Sequence, residues 1–355
     1  MKSRKEINDA VTQWILNKVT SEYSEDISLV MLYGSHINGT AGEKSDVDCY
    51  FVPKTNRGYD LAVTYILDGV GYDLFPMPWQ RLEDISGLKG SLLPLVGDTQ
   101  MLYCHSPEDV ARFEKLREQL LHNLASKEHT RKAVEDKCLE AARCISRMQN
   151  TTHLCTLRKY AGVVVMLLAE AIAFRHGDYY HRGLKKQYQD LCRFPGVPQQ
   201  IQDGYRNVIE AHGSEAILAR TKAYFHDVCH YLDFFPAHPE KAEEADTTPA
   251  VCNAAAMAGL YEEICSTFQK VYLCCDSGNH ILAFLSAVCL QHELDYAKSL
   301  GCPEYDLLRC WDHQNLPSFS ENLLHIELDL VQWIENNGGI LKRFATFAEF
   351  EAANL

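Results

Sequence analysis

The spacing of hydrophobic residues along the chain changes near position 105. Before it, short apolar runs rich in β-branched and aromatic residues, such as residues 27–33, are typical of buried strands. After it, apolar residues recur every three or four positions, as at Val134, Cys138, Ala141 and Ile145, which is typical of amphipathic helices. The pattern therefore predicts an α+β fold, with a small mixed sheet followed by an all-α helical bundle.

The first part of the chain is predicted to contain an opening helix over residues 4–21, a small sheet, and a helix with a loop over residues 79–93. Its dipeptide Asp68-Gly69 suits a hairpin turn, because such turns need positive φ angles. Ser106 before Pro107 marks the start of the next helix, as an N-cap followed by proline at the first helical position. The strands are predicted at residues 27–33, 46–52, 62–67, 70–77 and 99–104.

Four segments follow from these patterns. Residues 1–105 form the predicted catalytic domain, and residues 106–235 form a helical bundle whose most apolar helix, residues 154–174, is central. Residues 236–249 are polar and bracketed by prolines, which predicts a linker. Residues 250–355 are predicted to be a C-terminal helical region.

Bulk composition narrows the class of protein. The formal net charge of −14 argues against a protein that binds long nucleic acid through its phosphates. It is compatible with a cationic small substrate, and the ordinary acidity of a soluble protein is the favoured alternative explanation. No segment is apolar for the roughly 18 residues that a membrane helix needs. The 14 cysteines are scattered and no apolar leader follows the N-terminus, so a cytoplasmic location is expected. Nothing in the sequence indicates an oligomeric state.

The chemistry-bearing stretch joins the first two predicted strands. Gly34 and Ser35 end the first strand and offer close backbone N–H groups and one hydroxyl, which can cradle an anion. Asp46 and Asp48 alternate with apolar residues in the next strand, so their carboxylates are expected on one face. Neighbouring carboxylates repel one another unless a cation lies between them, and oxygen-only ligands favour Mg²⁺.

A third carboxylate is expected near this pair. Asp73 is the best candidate, because it lies in the apolar strand after the Asp-Gly turn. Asp60, Asp68 and Glu83 remain alternatives for the same place.

Gly34-Ser35, ten residues and then Asp46-x-Asp48, with Ser45 before the first aspartate, resembles the signature of the nucleotidyltransferase superfamily whose palm domain is related to polymerase β. The resemblance is greatest to its bacterial antibiotic-modifying and minimal branch, and it covers roughly residues 27–105. Both motifs at this spacing, with flanking strands and a third aspartate, form a specific signal, whereas either motif alone is weak.

The resemblance implies magnesium-dependent transfer of a nucleoside monophosphate to an acceptor hydroxyl. AMP is the expected group, with ATP as its donor. Asp46 and Asp48 would hold the Mg²⁺ that bridges the phosphates, and Gly34 and Ser35 would contact the β and γ phosphates. Asp73 would complete a second metal site, giving two Mg²⁺ ions, and help to deprotonate or orient the acceptor.

The acceptor is the least constrained part of this interpretation. A small hydroxylated molecule, such as an aminoglycoside or lincosamide antibiotic, is the first choice. A protein or tRNA acceptor, as in toxin–antitoxin systems, is the alternative within the enzyme class, and a catalytically silent binding module is the alternative outside it.

Several later residues could contribute to function or only to structure. Lys185, next to Lys186, is a candidate for triphosphate binding, with a solvated helix face as the alternative. Glu170 could serve as a base, with a salt bridge as the expected role. His226, Cys229 and His230 have helical spacing but lack a matching second pair, so packing is expected rather than zinc binding. Arg206 and His212 resemble an Arg-x5-His nuclease element, a short motif easily met by chance.

Overall fold

The computed structural model of the chain describes residues 3–42, 45–236 and 252–353, so all but the first residue of the predicted linker lies outside the described residues. In chain order the helices are α1 (Arg4–Glu22), α2 (Trp79–Ser86), α3 (Pro94–Gly97), α4 (Pro107–Ala125), α5 (Lys127–Gln149), α6 (Leu154–Arg175), α7 (Gln187–Leu191), α8 (Gln199–Ile209), α9 (Ser214–Leu232), α10 (Ala254–Asp276), α11 (His280–Ser299), α12 (Leu316–Asn336) and α13 (Phe347–Ala352). The strands are β1 (Ile27–Tyr33), β2 (Asp48–Pro53), β3 (Val63–Leu67), β4 (Val70–Pro76), β5 (Gln100–Cys104) and β6 (Arg343–Phe344).

The six strands form one mixed sheet in the order β5-β1-β2-β4-β3-β6. β2 pairs with β4, and β3 with β6, in parallel, while the other neighbours are antiparallel. The predicted α+β fold with a mixed sheet and many helices is confirmed. No helix among the described residues combines the length and apolar character needed to cross a membrane.

The sheet matches the predicted strands closely, with one correction. The turn between β3 and β4 has Asp68 at φ 52° and Gly69 at φ 71°, as a hairpin of this kind requires. However, β2 begins at Asp48, so Asp46 lies in the preceding loop and not in the strand. Tyr33, the last residue of β1, pairs with Asp48 and leaves no β1 partner for Asp46.

Contacts divide the chain into two compact units. Unit 1 comprises Met1–Ser126, Gly259–Ser266 and Leu341–Leu355, and unit 2 comprises Lys127–Ala258 and Thr267–Ile340. This division differs from the predicted segments because α4 packs on α2, α3, β1 and β5. It also differs because β6 pairs with β3 in the sheet of unit 1, and α13 packs on β6 and α1. The sequence pattern indicated neither element.

Phe350 of α13 lies at the centre of an aromatic cluster in unit 1. It is 1% exposed and stacks on Tyr65 of β3 with ring centroids 4.1 Å apart. Its ring also contacts Trp14 of α1, at 4.8 Å between centroids, and Phe344 of β6, at 5.6 Å. The end of the chain therefore supplies part of the core beneath the sheet.

Gly259–Ser266, the part of α10 that belongs to unit 1, approaches the β3–β4 hairpin closely. A Cβ on Gly71 would lie 2.7 Å from the Glu262 carbonyl oxygen, so only glycine allows this approach. The Glu262 side chain is fully buried and accepts hydrogen bonds from the Thr64 hydroxyl, at 2.9 Å, and the Lys342 amide, at 2.6 Å. The Lys342 ammonium lies 3.2 Å away, so this buried carboxylate is paired as its burial requires.

Unit 2 is a helical bundle built around α6. This helix buries most of its residues and packs against α5, α8, α9 and α11. Its apolar character is uniform around its circumference, which is expected of a helix surrounded by others. The predicted central helix is thus present with nearly the predicted bounds.

Replacing Phe350 by Ala is expected to destabilise unit 1 by about 3–5 kcal/mol, the usual cost of removing a buried phenylalanine ring. Native-state hydrogen exchange of the amides in β1 to β4 measures the opening free energy of unit 1 apart from unit 2. Leu121→Ala on α4, where the side chain is 60% exposed, is the control and should change that free energy by less than about 0.5 kcal/mol. Equal effects of the two substitutions would contradict the structural role assigned to α13.

Candidate active site

Asp48 and Asp73 occupy equivalent positions on the neighbouring parallel strands β2 and β4. β2 and β4 are aligned so that Cys49 pairs with Leu74, which places the preceding aspartates side by side. Across the other edge of β2, Asp48 pairs with Tyr33, the last residue of β1. The alternation of strand side chains buries Cys49 and Leu74 in the core and turns both aspartates to the opposite face.

The negative charges of all three predicted carboxylates contribute to a raised pKa of the Tyr33 phenol. Burial raises the pKa of Tyr33 well above its usual value, and the charges of Asp48, Asp73 and Asp46 raise it further, in that order. The Cys49 thiol pKa is also raised, first by burial and then by Asp48 and Asp46. Asp46 is therefore within electrostatic reach of Tyr33 and Cys49, although it lies outside the strand.

The Asp73 carboxyl group has a strongly raised pKa. Burial, the charge of Glu263 and the charge of Asp48, in that order, raise its pKa from 3.8 to about 7. Glu263 lies on the segment of α10 that belongs to unit 1. A carboxyl group with a pKa near neutrality can both hold and release a proton under physiological conditions.

The alternatives to Asp73 have other surroundings. Asp68, in the hairpin turn, forms a 2.9 Å salt bridge with Arg4. Glu83 forms a salt bridge of the same length with Arg112. Asp60 is exposed. Among the predicted acids, Asp73 is the one whose pKa is raised by Asp48.

The three aspartates are more widely spaced than a closed metal site. Within the described ranges, the set of three potential ligand side chains whose ligand atoms all lie within 4.8 Å of one another is His212, Asp312 and His313. Like-charged carboxylates repel one another, which favours a wider spacing of these three side chains.

Gly34 allows the Asp48 carboxylate to approach the turn after β1. It has φ 75°, and a Cβ there would lie 2.0 Å from Asp48 Oδ2. The Ser35 amide donates a hydrogen bond to the same oxygen, at 3.3 Å. The turn and the carboxylate thus form one unit, in which any side chain at position 34 would displace Asp48.

The Ser35 hydroxyl is the open polar group of this turn. Its Oγ atom is buried and has no hydrogen-bond partner among the described residues. Leaving such a group unsatisfied costs about 1–3 kcal/mol, so a ligand atom at this position is favoured. An oxygen-rich ligand such as a magnesium-bound phosphate would suit this hydroxyl and the carboxylate oxygens of Asp46 and Asp48.

Asn8 of α1 braces the loop that links β1 to β2. Its amide nitrogen lies 3.1 Å from His36 Nε2 and donates to the Ser45 carbonyl oxygen at 3.0 Å, so it contacts the loop near both ends. Its Oδ1 accepts a 2.6 Å hydrogen bond from Tyr72, whose hydroxyl in turn accepts from Arg4. This buried network positions the loop relative to β4.

Three aromatic rings form the apolar surface beside the carboxylates. Tyr33, Tyr50 and Phe75 come from three adjacent strands, and their ring centroids lie between 6.0 and 6.2 Å apart. The Tyr50 hydroxyl donates to the Leu95 carbonyl oxygen at 2.5 Å, which fixes that ring. The rings exclude water from one side of the site and strengthen its electrostatic interactions.

Two further candidates, Lys185 and Glu170, belong to unit 2. Lys185 lies in the turn Gly183–Lys186, and its contact with a nucleotide stays a prediction. Glu170 forms a 2.5 Å ion pair with Lys137 in which both side chains are largely buried, so the expected structural role is confirmed.

Glu263 and Asn8 are the residues of this region that sequence reasoning missed. Glu263 lies nearly two hundred positions after Asp73, in a helix whose sequence carries no catalytic motif. Asn8 interrupts the apolar face of α1 and is only 3% exposed, and a buried amide on an otherwise apolar face is the signal that could have identified it.

Comparisons with known proteins leave the family of this chain open. No family model matches the sequence, and no curated protein matches it. A solved structure of a nucleotidyltransferase-like protein from Exiguobacterium sibiricum 255-15 is similar at 10% identity and a TM-score of 0.39, over 63% of this chain and 74% of that one. A likeness at this level does not carry an argument about function.

Asp73→Asn is expected to flatten the pH dependence of stability in the metal-free protein. The carboxyl group has its ordinary pKa near 3.8 in the unfolded chain and about 7 in the folded one. As the pH rises between these values the unfolded state ionises first, so wild type loses stability relative to the variant. The loss is on the order of 4 kcal/mol and is complete above about pH 7.

Thermal unfolding in EDTA at several pH values measures this difference. The gap between Asp73→Asn and wild type should widen from about pH 4 to about pH 7 and then stay constant. Glu263→Gln removes a charge that raises the Asp73 pKa, so it should narrow the pH range of the loss. Parallel pH profiles for wild type and Asp73→Asn would contradict the raised pKa.

Proposed function

We propose that unit 1 is a magnesium-dependent nucleotidyltransferase, which moves a nucleoside monophosphate from a nucleoside triphosphate to an acceptor hydroxyl. The observation that carries the proposal is that Asp48 and Asp73 lie side by side on β2 and β4, next to a glycine turn with a buried, unpartnered serine hydroxyl. Clustered carboxylates with a polar anion cradle suit metal-assisted phosphate chemistry better than any other reaction class.

Asp46 and Asp48 are the residues that would hold Mg²⁺, and Asp73 would complete the place of a second ion. All three side chains offer carboxylate oxygen atoms, which are hard ligands that suit magnesium and not softer metals. When bound, the metal supplies positive charge that stabilises the phosphoryl oxygens and the leaving pyrophosphate.

Gly34 and Ser35 would bind the triphosphate. The absent side chain at Gly34 keeps the Asp48 carboxylate close to the turn. The buried Ser35 hydroxyl can donate its hydrogen to a phosphate oxygen and so gain the partner it lacks. These contacts orient the phosphates relative to the carboxylates before reaction.

In this proposal Asp73 accepts the proton of the acceptor hydroxyl. A general base works best when its pKa is close to the working pH, and burial together with Glu263 brings the Asp73 pKa to about 7. Glu263 acts through Asp73 and is therefore a positioning residue.

The acceptor in this proposal is a small hydroxylated molecule such as an aminoglycoside or lincosamide antibiotic, and the donor is ATP. The support comes from the motif resemblance at residues 27–105 and from the net charge of −14, which favours a cationic small molecule over long nucleic acid. Lys185 is retained as a candidate contact of the triphosphate.

The proposal predicts a nucleotidylated product when the protein is incubated with Mg²⁺, each nucleoside triphosphate and a panel of antibiotics. Mass spectrometry should detect an acceptor that has gained one nucleoside monophosphate. Asp48→Asn should lower the rate by at least about 100-fold, because a metal contributes several kcal/mol to the transition state. Asp60→Asn, an exposed acid of the same unit, is the control and should leave the rate unchanged.

Two outcomes would contradict parts of this proposal. Pyrophosphate release that survives both Asp46→Asn and Asp48→Asn would overturn the metal assignment. Labelling of protein or tRNA, with no small acceptor modified, would replace the antibiotic acceptor by the alternative one.

Gly34→Ala is expected to abolish transfer as completely as Asp48→Asn, because the new Cβ would lie 2.0 Å from Asp48 Oδ2. Gly69→Ala is the matched control. Its φ of 71° is close to the 75° of Gly34, but no atom lies within 4 Å of its added Cβ. Both variants share the backbone strain, so a rate loss confined to Gly34→Ala isolates displacement of the carboxylate. Equal losses in both variants would reject that explanation.

A further inference from the structure

A cluster of histidine and acidic side chains lies between two loops of unit 2. His212 lies in the loop between α8 and α9, and Asp312 and His313 lie in the loop before α12. One ligand atom from each of the three side chains lies within 4.8 Å of the others. His212 Nε2 is 3.9 Å from Asp312 Oδ1, and the two histidine rings have centroids 5.2 Å apart.

These distances are close to those of a coordination shell. Zinc–ligand bonds of about 2.0–2.2 Å place tetrahedral ligand atoms roughly 3.4 Å apart. Side-chain rotations of the half-exposed His212 and Asp312 are sufficient to make up the difference. Two imidazoles and one carboxylate are also a recurrent ligand set for zinc with an open fourth position.

An unpartnered polar atom gives independent support for a ligand here. His313 Nδ1 is buried and has no hydrogen-bond partner among the described residues. Such an atom costs free energy in the folded state unless something binds it. A metal ion bound directly to Nδ1 would give this atom the partner that it lacks.

The two loops are already tied together beside this cluster. Trp311, which precedes Asp312, is 2% exposed, and its indole nitrogen donates to the Ile209 carbonyl oxygen at 3.0 Å. The Gln314 amide donates to Asp312 Oδ1 at 2.9 Å and restrains the carboxylate. The ligand side chains therefore project from backbone that is held in place before any ion binds.

A histidine–carboxylate contact flanks the three side chains. His280, the first residue of α11, lies 3.0 Å from Glu210 through its Nε2 atom. Its ring centroid is 5.8 Å from that of His313. The neighbouring carboxylate adds negative charge to the cluster, which favours a divalent cation.

We propose that His212, Asp312 and His313 form a binding site for a divalent transition-metal ion of the zinc type, which links the loop after α8 to the loop before α12. The site is independent of the proposed transfer reaction and uses softer ligands than the aspartates of unit 1. Arg206, the other residue of the Arg-x5-His element, instead pairs with Asp203 at 2.6 Å.

The test measures zinc bound to the full chain after equilibrium dialysis at one buffered free zinc concentration. Wild type should hold one equivalent more than His212→Ala and more than Asp312→Asn. The asparagine variant keeps the shape of the side chain and its Gln314 contact, so it guards against loss of folding as the cause. Comparison between variants also removes any background from the cysteine thiols.

His226→Ala is the matched control, because His226 lies in the same unit and its ring packs on His230 at 4.5 Å between centroids. It should bind as much zinc as wild type. With Co²⁺ as a probe, visible absorption of a four- or five-coordinate ion should appear in wild type and vanish in His212→Ala. Equal zinc content in wild type, His212→Ala and Asp312→Asn would overturn the proposal, as would an equal loss in His226→Ala.

Discussion

The close approach of Asp48 to Gly34 is the constraint on which the candidate active site depends. The carboxylate occupies the space that a Cβ at residue 34 would fill, and Ser35 donates to it from the same turn. This contact joins the end of β1 to the start of β2 and so determines the direction in which the intervening loop leaves the sheet. The buried network around Asn8 then holds that loop at both ends.

The sequence predicted much of this site because its information is local. The strands, the hairpin turn at Asp68 and Gly69, and the spacing of Asp46 and Asp48 depend on neighbouring residues and on backbone conformation. Asp73 was predicted from the apolar strand after this turn, although the hairpin itself pairs β4 with β3, and the parallel pairing of β4 with β2 is what brings Asp73 beside Asp48. Asp46 lies outside β2 because β1 ends at Tyr33, which pairs with Asp48. The length of β1 is decided by pairing across the sheet, which the local sequence does not specify.

Features that depend on distant segments were not predictable. Glu263 influences Asp73 because the glycine at position 71 lets α10 approach the hairpin, and neither residue carries a motif. The cluster of His212, Asp312 and His313 also depends on distant segments. It forms where Trp311 donates a hydrogen bond to Ile209 at the end of α8. His226 and His230 share a helical spacing that made packing the expected role. Their rings do pack on each other and on Phe235.

The return of β6 and α13 to the sheet has a consequence for how the protein is made. Phe350 belongs to the same core cluster as α1 and β1, and β6 covers the edge of β3. During synthesis these residues leave the ribosome only after all of unit 2 has emerged. The N-terminal strands must therefore wait, with an incomplete core and an open edge, while the helices between them and their closing segment are translated. Unit 2, which is made of local helical contacts, can fold first.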